Sequence, residues 1–167
     1  MLKNSHSVWK KILTKAKFET TPNLQNSAEV TKCANSRCLI CKNHLITGKC
    51  FKFENFEFKI KFPLSCTAQN VIYALKCNGC SASYIGETFD FRKRINLHKS
   101  HIKNLPHNSL YVSKHIKNCP GNIAKDVNSM FSVMPIYQIR NKCKYTMTHM
   151  EQKFIEKFKP VLNKWYI

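Results

Sequence analysis

A Cys-x-x-Cys pair set between two short β-forming runs, and followed at once by a basic helical segment, constrains this chain more than any other feature. The stretch runs from Val71 to His98, VIYALKCNGCSASYIGETFDFRKRINLH. Alternation in Val71, Tyr73 and Leu75, then in Tyr84 and Gly86, predicts a short antiparallel hairpin whose connection is stapled by Cys77 and Cys80. Thr88 or Asp90 can cap the helix that follows, with Phe91, Ile95 and Ile102 as its buried stripe. Arg94 and His98 lie four apart on that helix and His101 extends their row, so a cation and two imidazoles stand beside the apolar seam.

The charge balance says what such a framework should meet. Twenty-eight Lys and Arg against nine Asp and Glu give a net charge of +19, a surface that attracts polyanions, with nucleic acid as the expected partner. No stretch approaches the uninterrupted apolar length of a membrane span, and the first residues, MLKNSHSVWKKILTKAK, lack a signal-peptide core, so an intracellular location is expected. In reducing surroundings the nine cysteines read first as metal ligands, and a disulfide-rich secreted protein is the alternative an odd count fits poorly. One group is Cys33, Cys38 and Cys41, with Cys50 or Cys66 as fourth partner; the other joins Cys77 and Cys80 to His115 and Cys119. Structural Zn²⁺ is the expected ion for both, and Cys143 is the expected buried, inert thiol.

Three segments follow from composition. Residues 1–30 are basic, polar and aperiodic, and read as disordered. Residues 31–65 read as a Cys-rich, zinc-binding β lobe, in which Phe51 and Phe53, then Phe56, Phe58, Ile60 and Phe62, alternate along strands with a register break at Glu54 and Asn55. These rings suit a core better than a base-stacking platform, and residues 66–167 form the main domain. There a short helix ends near Cys119, a strand carries Pro135 at an edge or bulge, and a helix over 143–158 presents Met147, Met150, Phe154, Ile155 and Phe158. Glu151 sits within that apolar face, where a carboxylate calls for a cation, a metal or a catalytic role.

These residues resemble the GIY-YIG endonuclease family, in particular the type found in Penelope-like retroelements. Val71-Ile72-Tyr73 matches the first signature with valine for glycine, Tyr84-Ile85-Gly86 matches the second, and Arg94 falls at the helix arginine with His98 one turn on. Glu151 matches the metal-binding glutamate and Asn163 the closing asparagine, while Cys77 and Cys80 between the two signatures mark the retroelement type. Met147 stands where many members have arginine, and the glycine that usually precedes the final Leu-Asn is absent. The resemblance implies Tyr73 as general base, Tyr84 orienting the water, Arg94 on the scissile phosphate, His98 in catalysis or zinc ligation, and Mg²⁺ or Mn²⁺ on Glu151. Nearby cations are expected to lower the Tyr73 pKa. Arg92, Lys93, Lys99 and Asn163 are the expected nucleic-acid contacts.

The expectation is therefore an α/β (α+β) protein with a small antiparallel three-stranded sheet flanked by helices, preceded by a zinc-stabilised β-rich lobe. Its expected activity is nicking of DNA in the nucleus, in partnership with a reverse transcriptase encoded elsewhere, for which 167 residues leave no room. A catalytically inactive, zinc-stabilised nucleic-acid-binding module is the alternative.

Overall fold

Among the residues that the computed structural model describes (28–54, 56–107, 109–140 and 143–166), the organising element is β5, Gln69–Cys77. Its Val71–Leu75 run is fully buried on both faces, the pattern of a central strand. β6 (Ser83–Asp90) pairs antiparallel with one edge, in a register that puts Tyr73 opposite Gly86 and Leu75 opposite Tyr84. β7 (Phe131–Gln138) pairs antiparallel with the other edge. The register slips between Ile72 and Tyr73, which face Tyr137 and Pro135, so Pro135 sits on an edge strand and at a bulge as expected.

Alternation along β5 sends side chains to two cores. Val71, Tyr73 and Leu75 face α2 (Phe91–Asn104) and α3 (Tyr111–Asn118), packing with Phe91, Ile95, Ile102 and Ile116. Ile72 and Ala74 face the opposite side, where Met147, Phe154, Ile155 and Phe158 of α4 (Lys144–Phe158) cover the sheet. Asp90 caps α2 by accepting a hydrogen bond from the Lys93 N–H at 2.9 Å, and Leu105 closes the helix in the left-handed conformation.

The upstream segment is built of short pieces. β1 (Val30–Thr31) pairs parallel with β4 (Leu64–Ser65), α1 spans Leu39–Asn43, and β2 (Cys50–Lys52) pairs with β3 (Glu57–Lys59). The expected register break at Glu54 and Asn55 is where the chain reverses into a hairpin, with the Phe53 N–H on the Phe56 carbonyl at 2.7 Å; Asn55 itself lies outside the described residues. Phe51 and Phe53 join the α4-side core, and the Phe53 ring stacks on Phe158 at 4.9 Å. Val30, expected at the end of a disordered segment, is buried in β1, while the expectation for residues 1–27 lies outside the described residues.

Candidate active site and metal centres

The hairpin register brings Tyr73 and Tyr84 to one face of the sheet beside α2, their rings 6.2 Å apart. The Tyr73 hydroxyl lies 2.7 Å from His98 Nε2 and accepts a hydrogen bond from Arg94 Nε–H at 3.0 Å. Arg94 can only donate, so the Tyr73 oxygen accepts there, and its own proton can go to His98 in the tautomer that leaves Nε2 unprotonated. Burial, with the Arg94 charge and then His101 adding to it, pushes the His98 pKa down to about 3, so its imidazole is neutral and able to accept. The Tyr84 hydroxyl joins the same group, interacting with both Tyr73 and Arg94. A side chain at Gly86 would place its Cβ 2.6 Å from the Tyr73 hydroxyl, which accounts for the glycine.

The sequence expectation that neighbouring cations lower the Tyr73 pKa is overturned. Tyr73 is fully buried, and loss of hydration drives its pKa up to about 12 against the opposing pull of Arg94. Desolvation penalises the phenolate more than one guanidinium repays. His98 resolves in favour of the tyrosine and lies outside both cysteine groups, as does His101.

Glu151 projects from α4 to the outer edge of β6, where one carboxylate oxygen accepts the Glu87 backbone N–H at 3.0 Å. It acts electrostatically on Tyr73 and feels Arg94, so the carboxylate belongs to the same neighbourhood as the phenol and guanidinium. Burial raises its pKa, opposed by Lys144 and Arg94. The motif reading passed over Glu87, whose side chain is 10% exposed and pairs through Oε1 with the Lys144 ammonium. Its Oε2 is buried without a hydrogen-bond partner. Glu151, a half-buried carboxylate, offers the hard oxygen donor that a divalent cation takes, so it fits one. A carboxylate near the end of a strand, just ahead of a helix cap, reads in sequence as ordinary strand surface, which is why no motif marks it.

Both cysteine groups assemble. The sulfurs of Cys33, Cys38, Cys41 and Cys66 lie within 4.8 Å of one another, as do the ligand atoms of Cys77, Cys80, His115 and Cys119. Cys38 to Cys66 is 3.6 Å and Cys33 to Cys41 is 3.7 Å, against about 3.8 Å for the edge of a tetrahedron with Zn–S bonds of about 2.3 Å. Each group can hold a zinc ion. The nine cysteines carry no disulfide. Cys66 completes the first group in place of Cys50, and it comes from beyond the expected 65/66 boundary, so that site ties the upstream segment to the sheet. In the second group a Cβ on Gly121 would fall 2.3 Å from the Gly79 carbonyl oxygen, a backbone approach only glycine permits.

Two of the expected nucleic-acid contacts are committed elsewhere. The Arg92 guanidinium lies 3.2 Å from Cys66 Sγ and 3.7 Å from Cys33 Sγ, turned into the thiol cluster. Asn163, 2% exposed, clamps the β6 edge: its amide accepts from Ile85 N–H at 2.7 Å and donates to the Ile85 carbonyl at 2.9 Å. Lys93 is exposed and pairs with Asp90, and Lys99 is half-buried on the same helix. Cys143 is exposed rather than buried, and the Thr146 and Tyr145 backbone N–H groups at the start of α4 lower its pKa. Among the described residues no helix is long and apolar enough to cross a membrane.

No family model matches the chain, and no curated protein matches it. Among solved structures, the catalytic domain of homing endonuclease I-TevI aligns with 55% of this chain and 89% of its own length, at 20% identity and a TM-score of 0.43.

Proposed function

We propose that this chain is a divalent-metal-dependent DNA endonuclease of the GIY-YIG type, derived from a Penelope-like retroelement. In this reading it nicks DNA in the nucleus to leave a 3′ end that a reverse transcriptase can extend. The observation that carries the reading is the Tyr73 hydroxyl held between His98 Nε2 and Arg94 Nε–H, within the electrostatic reach of Glu151. Phosphodiester hydrolysis needs a proton path and a cation at the phosphate, and this arrangement supports both.

Glu151 would hold Mg²⁺ or Mn²⁺, which would polarise the phosphate and offset charge on its oxygens. Water attacks phosphorus and the P–O3′ bond breaks, the 3′ oxygen leaving with the bonding pair and taking a proton from solvent, to which His98 later returns the one it receives. The water proton passes to the Tyr73 oxygen while the tyrosine's own proton moves to His98 Nε2. Negative charge growing on the phosphate favours the imidazolium that the resting site disfavours. Arg94 has five N–H donors, and after those engaged by Tyr73 and Tyr84 its planar fork can still grip a phosphate oxygen. Tyr84 orients the water.

Incubation of zinc-loaded protein with supercoiled plasmid and Mg²⁺ tests this. Wild type should give nicked circles, and Glu151→Ala and Arg94→Ala should each lower the rate by at least about a hundredfold. A wild-type protein that retards the plasmid without cutting it would replace the proposal with the inactive binding module.

A further inference from the structure

We propose that the chain carries a second nucleic-acid site, a groove on the far flank of α4 that takes a single unpaired strand. At 100° per residue, Lys144, Thr148 and Glu151 occupy the flank of α4 turned to β6, whereas Met150, Lys153 and Lys157 occupy the flank turned to β3 and β7. A groove of about 180 Å³ lies along this second flank, floored by Phe58, Phe154 and Phe158 and rimmed by Lys61, Lys153 and Lys157. Phe56, at the hairpin tip, is 47% exposed, and the Lys157 ammonium lies 5.9 Å from its ring centre and 5.4 Å from that of Phe158.

The alternating phenylalanines of the hairpin suit a core better than a base-stacking platform by sequence. Phe51 and Phe53 are buried in one, but Phe56 is exposed and Phe58 only half-buried, leaving aromatic surface among lysines. That combination is what a sequence-tolerant single-strand site requires: π faces for bases and ammonium groups for phosphates. The volume is well below the roughly 300 Å³ or more typical of pockets for drug-sized ligands, and suits a single flat ring system. A duplex keeps its bases stacked on one another and offers these rings only its backbone. The basic segment before Glu19 is a poor occupant, because it holds Lys3, Lys10, Lys11, Lys15 and Lys17 with no acidic residue, and like charge opposes its docking against lysines. Lying on the opposite flank of the same helix, the groove would hold a displaced or unpaired strand while a duplex occupies the Tyr73 side. The assignment stands whether or not the phosphodiester centre is active.

Fluorescence anisotropy of the zinc-loaded full chain with a labelled oligothymidylate of about 12 nucleotides, without Mg²⁺, reads binding separately from cleavage. Lys153→Ala/Lys157→Ala should weaken binding at least about tenfold at low salt and flatten the log–log salt dependence by about 1.4. Phe56→Ala should weaken binding to oligothymidylate about tenfold and leave binding to an abasic strand of equal length unchanged. All three positions are exposed, so far-UV circular dichroism and Tm should match wild type. Unchanged oligothymidylate affinity in both variants overturns the proposal, as does equal wild-type affinity for the abasic strand. Loss of binding to phosphatidylserine vesicles with oligothymidylate binding intact would make the groove a lipid contact and also overturn it.

Discussion

Replacing His98 with glutamine isolates the electrostatic cost of burying an imidazole against Tyr73. The glutamine side-chain carbonyl would still accept the Tyr73 hydroxyl, so the hydrogen bond at Nε2 has a substitute while the titrating group is gone. The groups that act on His98 are Tyr73 and Tyr84 across the sheet face and Arg94 and His101 on its own helix. An unfolded histidine takes up a proton near pH 6.5, but the folded one resists until about pH 3. Between those values the unfolded chain binds more protons, so stability is lost as pH falls through 6.5 and goes on falling toward 3. At pH 5 the loss from this one residue is about 2 kcal/mol, and any folded value below about 4 gives nearly the same figure. Urea unfolding of zinc-loaded wild type and His98→Gln at about pH 7.5 and about pH 5 measures it. The zinc ligands and other histidines are common to both proteins, so their acid sensitivity cancels in the difference. Wild type should lose about 2 kcal/mol more than the variant over this interval. Parallel losses would refute the argument, since they would mean that His98 is protonated as readily in the folded protein as in water.

Further outcomes follow from the metal groups and the sheet edge. Elemental analysis should find two zinc ions per chain, and Cys119→Ser should lower occupancy at the Cys77 group while leaving one ion at the Cys33 group. Four thiolates around one divalent ion leave two net negative charges, which the Arg92 guanidinium against Cys66 offsets. Arg92→Gln should therefore weaken zinc retention at that site by about 10- to 100-fold in chelator competition, without affecting the Cys77 group. Asn163→Ala removes both hydrogen bonds to Ile85 and leaves that buried backbone unpaired, which should cost about 2–3 kcal/mol in urea unfolding.

The elements around the two tyrosines were legible in the sequence because local rules specify them. Alternation in Val71–Leu75 and Tyr84–Gly86 defines the hairpin, Asp90 caps the helix, and close spacing identifies Cys77 with Cys80 and Cys33 with Cys38 and Cys41. Each involves groups within a few residues, where chain geometry leaves little choice. Spacing could not select Cys66 over Cys50, because that depends on how β4 and the turn after it return to α1. Nor could composition show that Arg92 faces sulfur, that Asn163 faces backbone, or that Glu87 keeps an unpartnered oxygen. The Tyr73 proton affinity is the sharpest case: a count of nearby positive charges lowers it, whereas complete burial raises it to about 12. Charge can be counted along a chain, but the water it displaces is known only after the chain has packed.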